Sequence, residues 1–309
     1  MAVPTESQRP PAPLSVRLNR YFMHRSERER SLFETVRRTL SFRTILIRRA
    51  AAKRIAASAS FSIDRTRGFA VFSPDRFPEA LEIVAATHGV ADRVDLGRPG
   101  LSKKARAGFM VPMLDTAALD VTSPFLRLAL RPDIIAAVSA YLGMVPVIAH
   151  LQVYYSGAGE DEARRQSQLF HCDSDDTTQV KIFVLCTAVS ADNGPLTLLE
   201  AGTSQALRQR LDYQFGKKIK DKQLEGVITE GDRRPVVGPA GTVCFADTSR
   251  CFHFGSRVEK EAGPRLIAMV QYLTPSAFML PRGYRADAPF RHLAVAGLSR
   301  DQRLVLGVD

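Results

Sequence analysis

His171-Cys172-Asp173 is the first place in the chain where residue types and spacing could do chemistry. On an extended strand residues i and i+2 project to one face, so the imidazole and the carboxylate can meet one cation while Cys172 points away. Six histidines and 19 aspartates in 309 residues supply about 0.4 such triplets by chance, so the pattern needs company. A surface turn in the acidic stretch Asp173-Ser174-Asp175-Asp176 would read the same way. The company lies downstream. His253 follows the apolar run at residues 242–246, and Arg265, 12 positions later, opens another apolar run. A guanidinium at the head of a buried strand requires an anion, because leaving it unpaired in the interior is very costly. Two imidazoles and one carboxylate occupy one face of an octahedral ion and leave three positions open, a donor set suited to Fe(II) and oxygen. A structural zinc ion would normally close its shell with four protein ligands.

The order H-x-D, then His about 80 residues on, then Arg 12 later resembles the non-haem Fe(II)/2-oxoglutarate dioxygenases, and most of all the phytanoyl-CoA dioxygenase-like family. The resemblance covers about residues 145–280. Asn193-Gly194-Pro195-Leu196 looks like that family's N-G-P-L turn, and Gly202-Thr203-Ser204 resembles its G-S-H or G-T-H segment, with Ser204 in place of the usual histidine. That histidine is not a metal ligand in the family, so the departure leaves the metal set intact and bears on a local substrate or structural role. The resemblance implies a mainly β fold with flanking helices around a double-stranded β-helix, the cupin-like jelly roll. It implies Fe(II) held by His171, Asp173 and His253, with 2-oxoglutarate at the metal and Arg265 on its far carboxylate. The implied reaction uses O2 to hydroxylate a small organic molecule, releasing succinate and CO2. Related halogenases replace the triplet's carboxylate by a small residue; Asp173 is present, which favours hydroxylation and leaves desaturation or ring formation open. The alternative is a non-catalytic or zinc-bound jelly-roll binding module that keeps these ligands.

Substrate contacts are expected from residues beside the triplet and on the strands before and after it: Tyr154, Gln168, Phe170 and Phe183, where a jelly-roll mouth combines apolar walls with a few polar groups. Core aromatics and an exposed glutamine would look the same. Strand alternation puts Lys181 on one face with Gln179 and Phe183; it either contacts an anionic ligand or reaches solvent along its stem. Arg257 is a second anion contact or a turn residue. Asp247 and Arg250 are placed to hold the His253 loop through a local ion pair. His24, His88, His150 and His292 have no matching carboxylate and are read as structural or exposed. Residues 161–168 form a polar loop that could cover substrate.

The elements that must position these groups follow from periodicity. After Gly143 come runs rich in β-branched and aromatic residues, at 145–155, 179–189, 195–199, 241–246 and 265–273, separated by turn residues. A helix is expected at residues 203–215. Short strands with one helical insertion match the jelly roll. Upstream, residues 1–13 hold four prolines and form a flexible lead-in, and residues 14–144 are a basic, mostly helical region packing on the core. The helical patterns are plainest at 14–60, 78–86 and 132–142. Residues 281–309 form a C-terminal extension.

Composition limits the partners. The net charge is +11, yet residues 1–60 carry 13 basic and 4 acidic groups while the rest is nearly balanced. That distribution leaves no broad basic face for a phosphate backbone, so no specific nucleic-acid partner is expected. The Arg-rich amphipathic segment is either a solvated helical layer or a peripheral contact to an anionic membrane or acidic partner. No run reaches the roughly 18–20 apolar residues of a membrane span, and residues 1–30 lack the apolar core of a secretory signal. The four cysteines form no C-x-x-C pair, which argues against a disulfide framework. The expectation is a soluble cytoplasmic protein.

Overall fold

Two antiparallel sheets frame the protein. The computed structural model describes residues 12–308 apart from 96, 98–100, 103–104, 106–107 and 158–165. The flexible lead-in, save its last two residues, and most of the polar loop at 161–168 therefore lie outside the described residues. The larger sheet has six strands in the order β1-β7-β4-β9-β3-β2 and the smaller three in the order β6-β5-β8. These are β1 (Phe69–Phe72), β2 (Phe109–Pro112), β3 (Val147–Ser156), β4 (Val180–Leu185), β5 (Thr197–Leu198), β6 (Arg234–Pro235), β7 (Val243–Ala246), β8 (His253–Phe254) and β9 (Arg265–Leu273). This is the jelly-roll architecture with flanking helices expected from the strand pattern.

The large sheet is two-sided because side chains alternate along a strand. On β4, Val180, Ile182 and Val184 pack into the main core, while Lys181 and Phe183 line a cavity on the other face. On β9, Leu266, Ala268, Val270 and Tyr272 take the core side and Arg265, Ile267, Met269 and Gln271 the cavity side. Strand β3 keeps this arrangement only through a register shift between Ile148 and His150. One extra residue there reverses the parity, so Leu151 and Val153 join the core and His150 and Tyr154 reach the cavity.

Helices cover the core side. Those contributing to it are α3 (Phe42–Ile55), α4 (Pro78–Ala86), α5 (Pro124–Ala129) and α6 (Pro132–Leu142); α1 (Leu14–Met23) and α2 (Glu27–Leu40) precede them, and α7 (Ala201–Arg210) packs into the apolar clusters of the other side. Local sequence sets their ends. Ser26 and Glu29 form a capping box that starts α2. In α6, Pro132 sits in the first turn and Gly143 at φ 73° closes the C-terminus in the left-handed region. Leu126, Leu128, Ile134 and Ile135 are under 2% exposed, and each stabilises the fold by about 1.5–3 kcal/mol. The helical layer is thus part of the core. Buried arginines pin it further: Arg48 donates to the carbonyls of Val145, Pro146 and Leu304 at 2.9–3.1 Å.

The jelly roll draws on more of the chain than residues 145–280. Strands β1 and β2 come from the N-terminal region and form the two edges of the large sheet, β1 on β7 and β2 on β3. Four residues each are too few to show a period, and their partners lie far along the chain. All four cysteines are buried and free. No helix among the described residues is long and apolar enough to cross a membrane.

Candidate metal centre

His171, Asp173 and His253 converge, with ligand atoms all within 4.8 Å of one another. The backbone brings them together. His171 and His253 face each other as an antiparallel pair, each N–H donating to the other's carbonyl at 3.0 and 2.9 Å. Asp173 N–H donates to Thr248 O at 2.8 Å. Alternation then sends His171 and Asp173 to one side and Cys172 to the other, where its Sγ lies 3.8 Å from Arg208 Nη1 in an apolar cluster.

Both imidazoles are oriented alike. His171 Nδ1 lies 2.8 Å from Leu169 O and His253 Nδ1 3.1 Å from Cys251 O. A carbonyl can only accept, so each Nδ1 carries the proton and each Nε2 offers a lone pair to the centre. The Nε2 atoms stand 3.7 and 3.9 Å from the Asp173 carboxylate. Burial holds both imidazoles below their ordinary pKa, reinforced for His171 by its neighbour His253 and opposed by Asp173. They are neutral and ready to coordinate.

Asp173 is tied down on its other side. Its Oδ2 accepts from Lys181 Nζ at 2.7 Å and from Gln179 Nε2 at 3.2 Å. Burial opposes its ionisation, but the Lys181 ammonium outweighs burial and holds the carboxyl well below the usual range. Lys181, read from sequence as a contact to an anionic ligand or a solvated stem, is instead an internal counterion of Asp173, with Asp175 Oδ2 a further 3.9 Å neighbour.

Arg265 shares the cavity but has no such partner. It is 4% exposed. One Nη donates to the carbonyl of Gly194 and the other to Ser256 Oγ at 2.8 Å, while the buried Nε has no partner. Among the described residues no carboxylate contacts it, and burial alone pushes its pKa down to about 10. The Asn193-Gly194-Pro195-Leu196 turn is its cradle. Gly194 adopts φ 65° and a Cβ there would lie 2.4 Å from Arg257 N, so only glycine fits.

The cavity measures about 330 Å³. Its polar side groups His150, Tyr154, Asp175, Lys181 and Gln271, and its apolar walls include Phe183, Ile267, Met269 and Met279. Of the four residues expected to contact substrate, Tyr154 and Phe183 line it. Gln168 and Phe170 do not line it. Phe170 packs edge-on against Phe254 at 4.7 Å in an apolar cluster, on the side Cys172 takes. Gln168 instead donates to Ser256 O at 2.8 Å, behind the Arg265 cradle. His150 was missed: its Nε2 lies 2.8 Å from Tyr154 Oη, and only the β3 register shift turns it inward.

Neighbouring groups serve the loops. Asp247 and Arg250 act through Tyr141 rather than by a direct ion pair: Tyr141 Oη donates to Asp247 at 2.9 Å and accepts from Arg250 at 3.0 Å. Burial pushes the Asp247 pKa up to about 6. Arg257 is committed to Asp221, with contacts of 2.9 and 2.8 Å, and stacks 3.4 Å above Phe254. Ser204 fills a structural role: its Oγ accepts from Phe252 N at 2.8 Å, fixing the backbone just before His253.

Comparison with known proteins adds the fold. No protein-family model matches the chain and no curated protein matches it in sequence. Among solved structures, EctD from S. alaskensis with 2-oxoglutarate and 5-hydroxyectoine is similar, at 21% identity over 83% of this chain and 86% of that one, with a TM-score of 0.51. The non-heme alpha ketoglutarate dependent carbocyclase SnoK from nogalamycin biosynthesis aligns at 18% identity over 68% of this chain and 81% of that one, with a TM-score of 0.45. At these identities the likeness extends to the fold alone.

Proposed function

We propose that the protein is an Fe(II)- and 2-oxoglutarate-dependent oxygenase of the phytanoyl-CoA dioxygenase-like type, hydroxylating a small organic molecule. The observation that carries this reading is one cavity holding both an open three-ligand metal set and a buried guanidinium that meets no carboxylate among the described residues. The donor set fits Fe(II): two neutral imidazoles and an ionised carboxylate on one side, with no fourth protein ligand among the described residues. The EctD structure with 2-oxoglutarate supports the same reading through its fold.

When bound, Fe(II) with 2-oxoglutarate supplies oxidation of a C–H bond by O2, with succinate and CO2 as co-products. The chain's own residues do the rest. The Leu169 and Cys251 carbonyls fix the imidazole tautomers. Lys181 and Gln179 hold Asp173 in one orientation. Arg265 pairs with the distal carboxylate of the cosubstrate through a charge-assisted contact. Tyr154, His150, Asp175 and Gln271 offer hydrogen-bonding groups to substrate, and Phe183, Ile267 and Met269 exclude water.

Anaerobic addition of Fe(II) and 2-oxoglutarate to the folded protein tests this. A weak visible charge-transfer band is expected in the wild type and absent in His171→Ala, with succinate formed once O2 is admitted. A folded, iron-loaded wild type that shows neither band nor succinate, and that retains zinc from purification, contradicts the proposal in favour of a binding module.

A further inference from the structure

The N-terminal helices carry a surface the oxygenase reading does not use. Nine of the 14 large hydrophobic residues exposed in the described structure lie within residues 14–47. On α2, Leu32, Val36 and Leu40 follow one another at steps of four and are 69%, 49% and 81% exposed. Thr35 and Thr39 lie beside them on the same helical face and carry no charge. Helix α1 adds Leu14, Leu18 and Tyr21, and α3 adds Phe42, Leu46 and Ile47. So many exposed large apolar residues on three consecutive helices signal a binding surface.

Its charges are one-sided. Arg17, Arg20, Arg28, Arg43 and Arg49 are exposed around the apolar residues, and among the described residues they pair with no carboxylate. The three acids of this layer are already engaged. Glu29 is held in the α2 capping box, Glu27 pairs with Arg208, and Glu34 is buried against Thr177 and Arg38. The inward arginines are engaged too: Arg30 donates to the carbonyls of Ser174 and Asp176, and Arg37 to those of Ala277 and Leu280. The layer is thus firmly seated while its outer face is apolar and cationic.

We propose that α1–α3 dock the protein on an anionic bilayer surface, with Leu32, Val36 and Leu40 entering the interface and the exposed arginines meeting lipid phosphates and carboxylates. Amphipathic helices bind membranes through this combination of buried apolar area and electrostatic attraction. A nucleic acid would cover the arginines and leave the leucines in water. A second copy of the chain would oppose two cationic faces with no free acid on either among the described residues. No helix among the described residues can span the membrane, so attachment is peripheral.

The test is sedimentation of the full chain with phosphatidylcholine vesicles, with and without phosphatidylserine. The wild type should pellet only with the anionic vesicles and be released by high salt. The Leu32→Ser/Val36→Ser/Leu40→Ser and Arg17→Gln/Arg20→Gln/Arg43→Gln variants alter exposed side chains. Each should bind at least about tenfold more weakly with unchanged thermal unfolding and unchanged metal binding. Wild type remaining in the supernatant with both vesicle types overturns the proposal. So does a wild-type dimer that the serine variant converts to monomer, because a second copy then covers the face.

Discussion

Arg265 and Lys181 face one cavity from neighbouring strands, and their surroundings treat them in opposite ways. Lys181 has the ionised Asp173 carboxylate at 2.7 Å and the Asp175 carboxyl at 3.9 Å. Burial disfavours its charge, but Asp173 and Asp175 outweigh burial and raise its pKa. Arg265 has a carbonyl, a hydroxyl and an unpartnered Nε, and burial lowers its pKa unopposed. One cation is balanced by carboxylates within the fold; the other meets none among the described residues. On the proposed function, a structural ion pair and a ligand-binding charge sit on adjacent strands of one sheet, and the partner inventory tells them apart.

Exchanging each cation for an apolar residue should separate the two most sharply. Arg265→Met removes the anion contact and should weaken 2-oxoglutarate binding to the metal-loaded protein by at least about a hundredfold. The same change should shift apoprotein stability by less than about 1 kcal/mol, since it replaces an unpaired buried charge by a group of similar volume. Calorimetry and urea unfolding read the two effects. Lys181→Met should do the reverse. It strands Asp173 without its counterion and should cost the apoprotein about 3 kcal/mol, visible as a lower urea midpoint, with bound metal restoring part of the loss. If both variants behaved alike, the distinction would fail.

A smaller effect separates the loops. Ser204→Ala leaves the Phe252 amide without its acceptor in a buried position, and should destabilise the protein by about 1–3 kcal/mol while metal binding persists. The smallest effect is in pH. Two ordinary histidines near pKa 6.5 would weaken metal binding about tenfold between pH 7 and 6, because both must be neutral to coordinate. Here both imidazoles have lowered pKa values and stay neutral as pH falls through the ordinary value. Asp173, also lowered, remains ionised. Anaerobic titration with Fe(II) should show a loss below about threefold over that interval.

The metal set was legible from local signals taken in order. H-x-D needs only strand alternation, while His253, about 80 residues on, follows one apolar run and Arg265 opens another. The same alternation also bears on Phe170, which shares parity with Cys172 and therefore joins it in the apolar cluster. Other contacts are set by pairing between distant segments. His150 reaches the cavity through a register shift that no local pattern displays. Lys181 finds Asp173 across a turn. Strands β1 and β2 are four residues each and are defined by partners such as Phe69↔Ala246 and Phe109↔Ser156. Helices α4 and α6 match their sequence patterns, with α6 carrying its own start and stop signals.

The most direct measurement is of ligand preference in the unaltered protein. Metal-loaded wild type is titrated anaerobically with 2-oxoglutarate and with 2-oxopentanoate, which keeps the metal-binding end and lacks the distal carboxylate. If Arg265 awaits that carboxylate, the dicarboxylate binds at least about a hundredfold more tightly. Equal affinity for the two acids would contradict the account at its centre.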